Sequence, residues 1–258
     1  MRRKTASTLF SIACALVGGV AVPQAAIAQE ASPPSDEQGT APGVNPKDNI
    51  TKAEAIVQYN NLEAGLETFT IALKYDLAFN SKWGANVELP FTTLSGPGFS
   101  ETDVGDLNLR VRNVNTQGPV SILSAVEVVV PTAGSDLTGS GKWQVNPVVG
   151  AVYAFNQQTF AFLGYKHYFS IAGDEAREDI NRSEVRALFA RLFANATWTL
   201  GDVKYSHSYE GQELDTLDLE VEYGSMISKS VAISGRVGTS FLDSSRDFGL
   251  SLNVRKIF

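Results

Sequence analysis

The chain has 258 residues, a formal net charge of −7 and a mean hydropathy of −0.05. These values exclude a bundle of membrane-spanning helices, each of which needs roughly 20 consecutive apolar residues. They also argue against nucleic acid as a partner, because phosphate binding needs clustered Lys and Arg. The single cysteine, Cys14, falls in the leader described next, so thiolate metal sites, disulfides and cysteine nucleophiles are not expected in the mature chain.

Arg2, Arg3 and Lys4 precede an apolar run from Ala6 to Val22, and Ala26-Ile27-Ala28 forms a small-x-small cleavage site. Residues 1–28 therefore read as a signal peptide, with Gln29 the first mature residue. A retained anchor is the alternative. A lipoprotein reading of Cys14 is weakened by Ser11 three positions before it, where a large apolar residue belongs. Residues 29–50 are rich in Pro, Gly, Ser and acids, with little to bury, and read as a disordered periplasmic linker.

From about residue 51 the dominant period is two, the spacing of alternate faces of a β-strand. Trp83, Ala85, Val87, Leu89 and Phe91 share a face opposite Gly84, Asn86, Glu88 and Pro90. Gly105, Leu107, Leu109 and Val111 oppose Asp106, Asn108, Arg110 and Arg112. Leu217, Leu219, Val221 and Tyr223 oppose Thr216, Asp218, Glu220 and Glu222. Phe248, Leu250, Leu252, Val254 and Phe258 oppose Gly249, Ser251, Asn253 and Arg255. About twelve strands follow, near 52–60, 66–78, 83–93, 103–113, 119–131, 143–155, 158–171, 183–194, 197–209, 214–224, 230–241 and 247–258. Faces are ambiguous in 158–171 and 183–194, where Lys166 and Arg191 conflict with simple parity. Short connections (79–82, 115–118, 156–157, 195–196, 225–229) alternate with longer ones (94–102, 132–142, 172–182, 210–213, 242–246).

That alternation, together with strand lengths of about 9–13 residues, suits a tilted membrane-crossing strand better than a soluble sandwich, which is the competing fold. Charges of both signs recur along strand centres, among them Lys74, Asp76, Lys166 and Lys204. Aromatic residues (Tyr59, Trp83, Phe91, Trp143, Phe155, Phe169, Trp198, Tyr209, Tyr223, Phe241, Phe248, Phe258) gather near strand ends, where rings sit at the headgroup level. Lipid offers no hydrogen-bond partner to an open sheet edge, so a spanning sheet must close. The expected fold is all-β: a closed up-and-down antiparallel transmembrane barrel of about twelve strands over residues 51–258, in a Gram-negative outer membrane.

The last strand ends on Phe258 and resembles the C-terminal signal of barrel proteins, which implies the barrel-assembly machinery as a partner. Lys256 departs from that signal, which has an apolar or aromatic residue there. Further likeness lies in VGDLNLRVRNV (104–114), VEVVVPTAG (126–134), GSGKWQVNPVVGAVYAF (139–155) and LKYDLAFNSKWGANVELPF (73–91). Their order is similar to that in the outer-membrane transporter family labelled for the meta-pathway of phenol degradation, with an extra Ala133 before Gly134. The resemblance implies a barrel that admits small, including aromatic, compounds, and implies no catalytic residue.

Outer-membrane acyl hydrolases use a His and a Ser two residues on, because only i and i+2 share a strand face. His167 and His207 are followed at that distance by Phe169 and Tyr209, and the serines beside His207 point the other way. The acids Asp174, Glu175, Glu178 and Asp179 lack the Gly turn and terminal Glu of a calcium loop. No catalytic residue, metal site or cofactor is expected. The leading reading is a passive channel for small solutes, surrounded by outer-membrane lipid and lipopolysaccharide. Its lumen and selectivity residues are Glu88, Asp106, Arg110, Arg112, Glu127, Asp218, Glu220, Glu222, Arg236 and Arg255. A structural or surface-interaction barrel without a significant pore is the second reading, and an acyl hydrolase the third.

Overall fold

The computed structural model describes residues 41–258 apart from 212, 213 and 245. The expected signal peptide (1–28) and residues 29–40 of the expected linker lie outside the described residues. Thirteen strands follow: β1 (Lys52–Leu62), β2 (Glu67–Ala78), β3 (Trp83–Gly96), β4 (Phe99–Val104), β5 (Leu107–Gln117), β6 (Val120–Val130), β7 (Lys142–Ala154), β8 (Thr159–Gly173), β9 (Asn181–Leu192), β10 (Thr197–Ser208), β11 (Asp215–Ser228), β12 (Val231–Leu242) and β13 (Arg246–Ile257). Each pairs antiparallel with its neighbour in the chain, except that β4 and β5 both pair with β3. The sheet closes where β1 meets β13. β4 and β5 are one stave broken at Gly105 and Asp106, so the cylinder has twelve staves.

Closure satisfies both backbone edges, which a sheet in lipid requires. Pleat parity then decides what each medium sees. Trp83, Val87, Phe91, Leu109, Val111, Leu219, Val221, Tyr223, Phe248 and Leu250 are exposed on the outside, on the faces expected from the alternation. Asn86, Glu222 and Arg255 are buried on the inside. An isolated soluble domain would hide those apolar rows instead of the charges. Arg191, which confused the parity of its strand, points outward at the inner end of β9, with its guanidinium near the Phe193 ring. Lys166 faces the lumen.

Inner connections are short, as expected. The turn between β5 and β6 consists of Gly118 and Pro119, and Gly118 takes a φ of 59°, which glycine adopts without a steric cost. Two expectations need correction. The loop placed at 94–102 is instead a strand hairpin: β3 and β4 stay in register from Phe91↔Val104 to Gly96↔Phe99, turning at Pro97 and Gly98. Alternating Thr and Ser with larger residues there continues the pleat past the membrane, and Thr93 and Thr102 hydroxyls join across it at 2.8 Å.

The second correction concerns the last part of the linker. Residues 41–50 are folded against the inner end of the barrel wall. Ala41 is buried beside Leu192, Trp198 and Ala232. Val44 packs on Val152, Phe160, Leu188, Ala190 and Leu200. The sequence of this segment is polar enough to read as a linker, but its few apolar residues find an apolar wall that no local pattern announces.

Candidate functional site: the lumen

The interior has two zones. The charged zone is built from inward residues of nearly every stave. On one side Glu54 of β1 takes Arg255 of β13 and Lys52 (3.0 Å), with Lys74 at 3.8 Å. On the opposite wall Glu127 of β6 is held by Arg110 of β5 at Oε2 and by Lys166 of β8 at Oε1, and Asn146 Nδ2 also donates to Oε1 at 3.1 Å. Across β9–β13 the pairs form a continuous net. Arg186 Nε donates to Asp202 at 3.0 Å, and Arg236 reaches Asp202 (3.2 Å), Glu220 (2.9 Å) and Glu222 (2.6 Å). Arg246 joins Glu220 (2.8 Å) to Asp218 (3.2 Å), and Lys204 completes Asp218 at 3.0 Å. Inside a low-dielectric wall a lone charge is costly, so these groups are stable only as satisfied pairs.

The apolar zone lies at the inner end between β7 and β10. Val152, Phe160, Leu188, Ala190 and Leu200 point inward there and receive Val44. Trp198 is fully buried in the wall and its Nε1 donates to Glu222 at 2.9 Å. Its indole lies against Gly224, where an added Cβ would collide with the ring at 2.1 Å. Trp198, expected among the headgroup aromatics, belongs to the lumen instead: Leu200 and Asp202 share its face.

Arg112 is the link between the N-terminal segment and the wall. Its guanidinium donates to the carbonyls of Asp48 (2.6 Å) and Pro46 (3.3 Å) and to Asn49 Oδ1 (3.1 Å). Asn49 in turn donates to the carbonyls of Asn80 and Trp83, both at 2.6 Å, in the β2–β3 turn. Within the segment Asp48 accepts the Gly43 N–H at 3.0 Å, and burial pushes its carboxyl pKa above the ordinary value.

Nine of the ten residues expected to line the lumen lie on its inner wall. Arg110, Glu127, Asp218, Glu220, Glu222, Arg236 and Arg255 are the paired groups just described. Glu88 stands on the lumen side opposite Lys74 in register, with no ion pair among the described residues. Arg112 is occupied by the segment. Asp106 is different: it is buried at the outer rim and receives the Ser140 N–H (2.6 Å), the Ser140 hydroxyl (2.7 Å) and the Ala133 N–H (3.3 Å). It therefore anchors the loop between β6 and β7. Sequence reasoning missed Lys52, Glu54, Arg186, Asp202 and Arg246. The first two alternate with Ala53 and Ala55, a signal that was present but weak. Arg186 was obscured because Leu188, Ala190 and Leu192 follow it on the same inward face.

Outside the lumen, His207 Nδ1 lies 2.8 Å from Asp215 on the outer rim, where Tyr205 also donates to Asp215. Ser183 stands opposite His207 in register, but its hydroxyl meets Tyr209 at 3.0 Å. In the loop between β8 and β9, Asp179 accepts from Lys142 at 2.8 Å, which holds its pKa below the ordinary value.

A closed cylinder with lipid-type residues outside and ion pairs inside is a membrane architecture of one kind. The fold is that of the outer-membrane barrels. An outer membrane channel from Pseudomonas putida F1 superposes with a TM-score of 0.71, covering 87% of this chain and 99% of that one at 12% identity. The NanC porin gives a TM-score of 0.59 over 81% of this chain and 100% of its own, at 8% identity. The KdgM porin gives 0.57 over 80% and 99%, at 10% identity. No protein-family profile and no curated protein matches the sequence. The likeness therefore lies in the fold: the barrel is an outer-membrane one, closed and antiparallel with twelve staves.

Proposed function

We propose that the chain is a passive outer-membrane channel for small solutes. One observation carries this reading. The middle of the barrel encloses a cavity of about 400 Å³ bounded by charged side chains from β5 around to β12. A barrel serving only as a scaffold has no need to hold so many ionised groups around open space, and a wall of side-chain charge biases which solutes pass. The solved structures named above as channels and porins share the fold and support the same reading.

The finer label, import of small aromatic compounds as the phenol meta-pathway family resemblance implies, is compatible with Phe162 and Tyr168 on the cavity wall. Lipopolysaccharide around the aromatic outer rim and the assembly machinery at the β13 end complete the proposed setting. The second reading, a barrel without a significant pore, has its own support: the segment 41–50 lies across the inner end. Reconstitution in planar bilayers separates the two. The channel reading predicts discrete conductance steps, whereas current indistinguishable from protein-free bilayers favours the closed barrel. Uptake of labelled aromatic acids and phenols by cells with and without the protein then tests the finer label.

A further inference from the structure

The ion pairs of the lumen are lopsided in depth. In the Arg186–Asp202 pair the arginine side chain is 39% exposed and the aspartate 4%. In Arg110–Glu127 the values are 35% and 5%, and in Lys204–Asp218 they are 33% and 15%. Arg236 likewise stands further into the lumen than the three acids it touches. In these pairs the carboxylates are sunk into the wall and the cations lie between them and the open space, whereas Arg246 lies level with Asp218 and Glu220. The chain as a whole carries −7, yet at these pairs the charge nearer the open lumen is the positive one. Pairing neutralises the far field, but over a few ångströms the nearer charge dominates because Coulomb energy falls with distance.

One place sharpens this. Arg186 of β9 and Lys204 of β10 are directly opposite each other in register, on the lumen side, bordering the same cavity. Like charges directly across a strand pair are destabilising. Each is held along the wall by its acid: Asp202 is diagonal to Arg186, and Asp218 is opposite Lys204 on β11. Glu184, two residues before Arg186, also borders the cavity, with its carboxylate accepting the Tyr168 hydroxyl at 2.9 Å. Arg186 and Lys204 together turn two adjacent positive groups to the open space. Arg110 and Arg236 border that cavity too.

We infer that the lumen selects for anions, and that Arg186 and Lys204 form a weak subsite for the oxyanion of a small solute, a carboxylate or a phosphate. The inference rests on the channel reading and names its solute class. An Arg fork and a Lys point charge side by side suit two oxygens of one such group. A volume of about 400 Å³ admits a small organic acid and little more.

The test uses the full mature protein in planar bilayers under a KCl gradient. The reversal potential is expected to lie on the chloride side, and acetate, benzoate and inorganic phosphate are each added to look for current block. Block by the carboxylates alone, or by phosphate alone, identifies the solute group within the oxyanion class. The double variant Arg186→Gln with Lys204→Gln is expected to lower the chloride-to-potassium permeability ratio several-fold and abolish block. Because it strands Asp202 and Asp218, the quadruple variant adding Asp202→Asn and Asp218→Asn is run beside it. That variant restores neutrality without the cations and should also lose block. Heat-modifiable migration confirms folding of each. A conducting pore that prefers potassium, or block that survives in both variants, overturns the inference while leaving the channel intact. No conductance at all overturns the channel reading and this inference with it.

Discussion

The charged wall from β9 to β13 and the apolar inner end between β7 and β10 face the same lumen and fill it by opposite means. The wall fills by ion pairing, with Arg236 and Arg246 joining Asp202, Asp218, Glu220 and Glu222 into one net. Such a net fixes its own side chains and leaves cations facing open space. The inner end fills by close contact, with Phe160, Leu188 and Leu200 meeting Val44 from a separate segment. Pairing of charges ends at the wall surface, whereas an apolar patch keeps attracting apolar groups until it is covered. The first zone therefore yields a hydrated cavity and the second a seat for the N-terminal residues.

The contrast can be broken most forcefully by deleting residues 41–49. If that segment is the obstruction, single-channel conductance should rise several-fold, and an unchanged conductance would show that solutes already pass beside it. Next in size is a test of the two faces of one strand. Leu219→Arg places a charge in lipid and should destabilise by roughly 2–4 kcal/mol if it lies near the midplane. Its neighbour Glu220→Gln leaves Arg236 with Asp202 and Glu222 and should cost about 1 kcal/mol. Urea unfolding in lipid vesicles measures both, and equal tolerance would contradict the inside–outside assignment.

Arg112→Gln is expected to act on the docked segment alone and to leave the barrel intact. It removes charge-assisted bonds to the Asp48 and Pro46 carbonyls, each worth about 1.5–3 kcal/mol. The segment should then become susceptible to protease from the inner side while the barrel resists. The smallest effect concerns Asp48. Burial raises its pKa in the docked segment, so docking takes up a proton relative to the free segment. Docking is weakest above the raised value and tightens as pH falls through it toward the ordinary carboxylate value of about 4. Protease protection of the segment should rise on acidification over that window, and Asp48→Asn should flatten the dependence.

Much of the barrel was legible in the sequence because a pleat of period two is a local property. The alternations at 83–91, 104–112, 216–223 and 248–255 name their inward and outward faces without reference to any neighbour. Legibility failed where the lumen itself is apolar. Trp198, Leu188 and Leu200 look like lipid-facing residues to any hydropathy rule, since the rule equates inside with polar. It failed also at Asp106, whose charge matches the lumen pattern but whose partners include the N–H and hydroxyl of Ser140, in a loop 34 residues away.

The sequence by itself determined the strand period, the stave count and, where charged and apolar residues alternate, the side a strand turns to lipid, because those follow from alternation and from the absence of hydrogen-bond partners in hydrocarbon. Only the tertiary structure decided which charges pair, that Glu127, Asp202 and Asp218 lie deeper than Arg110, Arg186 and Lys204, and that residues 41–50 close against the inner wall. Pairing and depth depend on register between strands and on side-chain reach. Neither is carried by any one strand, and both exist only once the cylinder has closed.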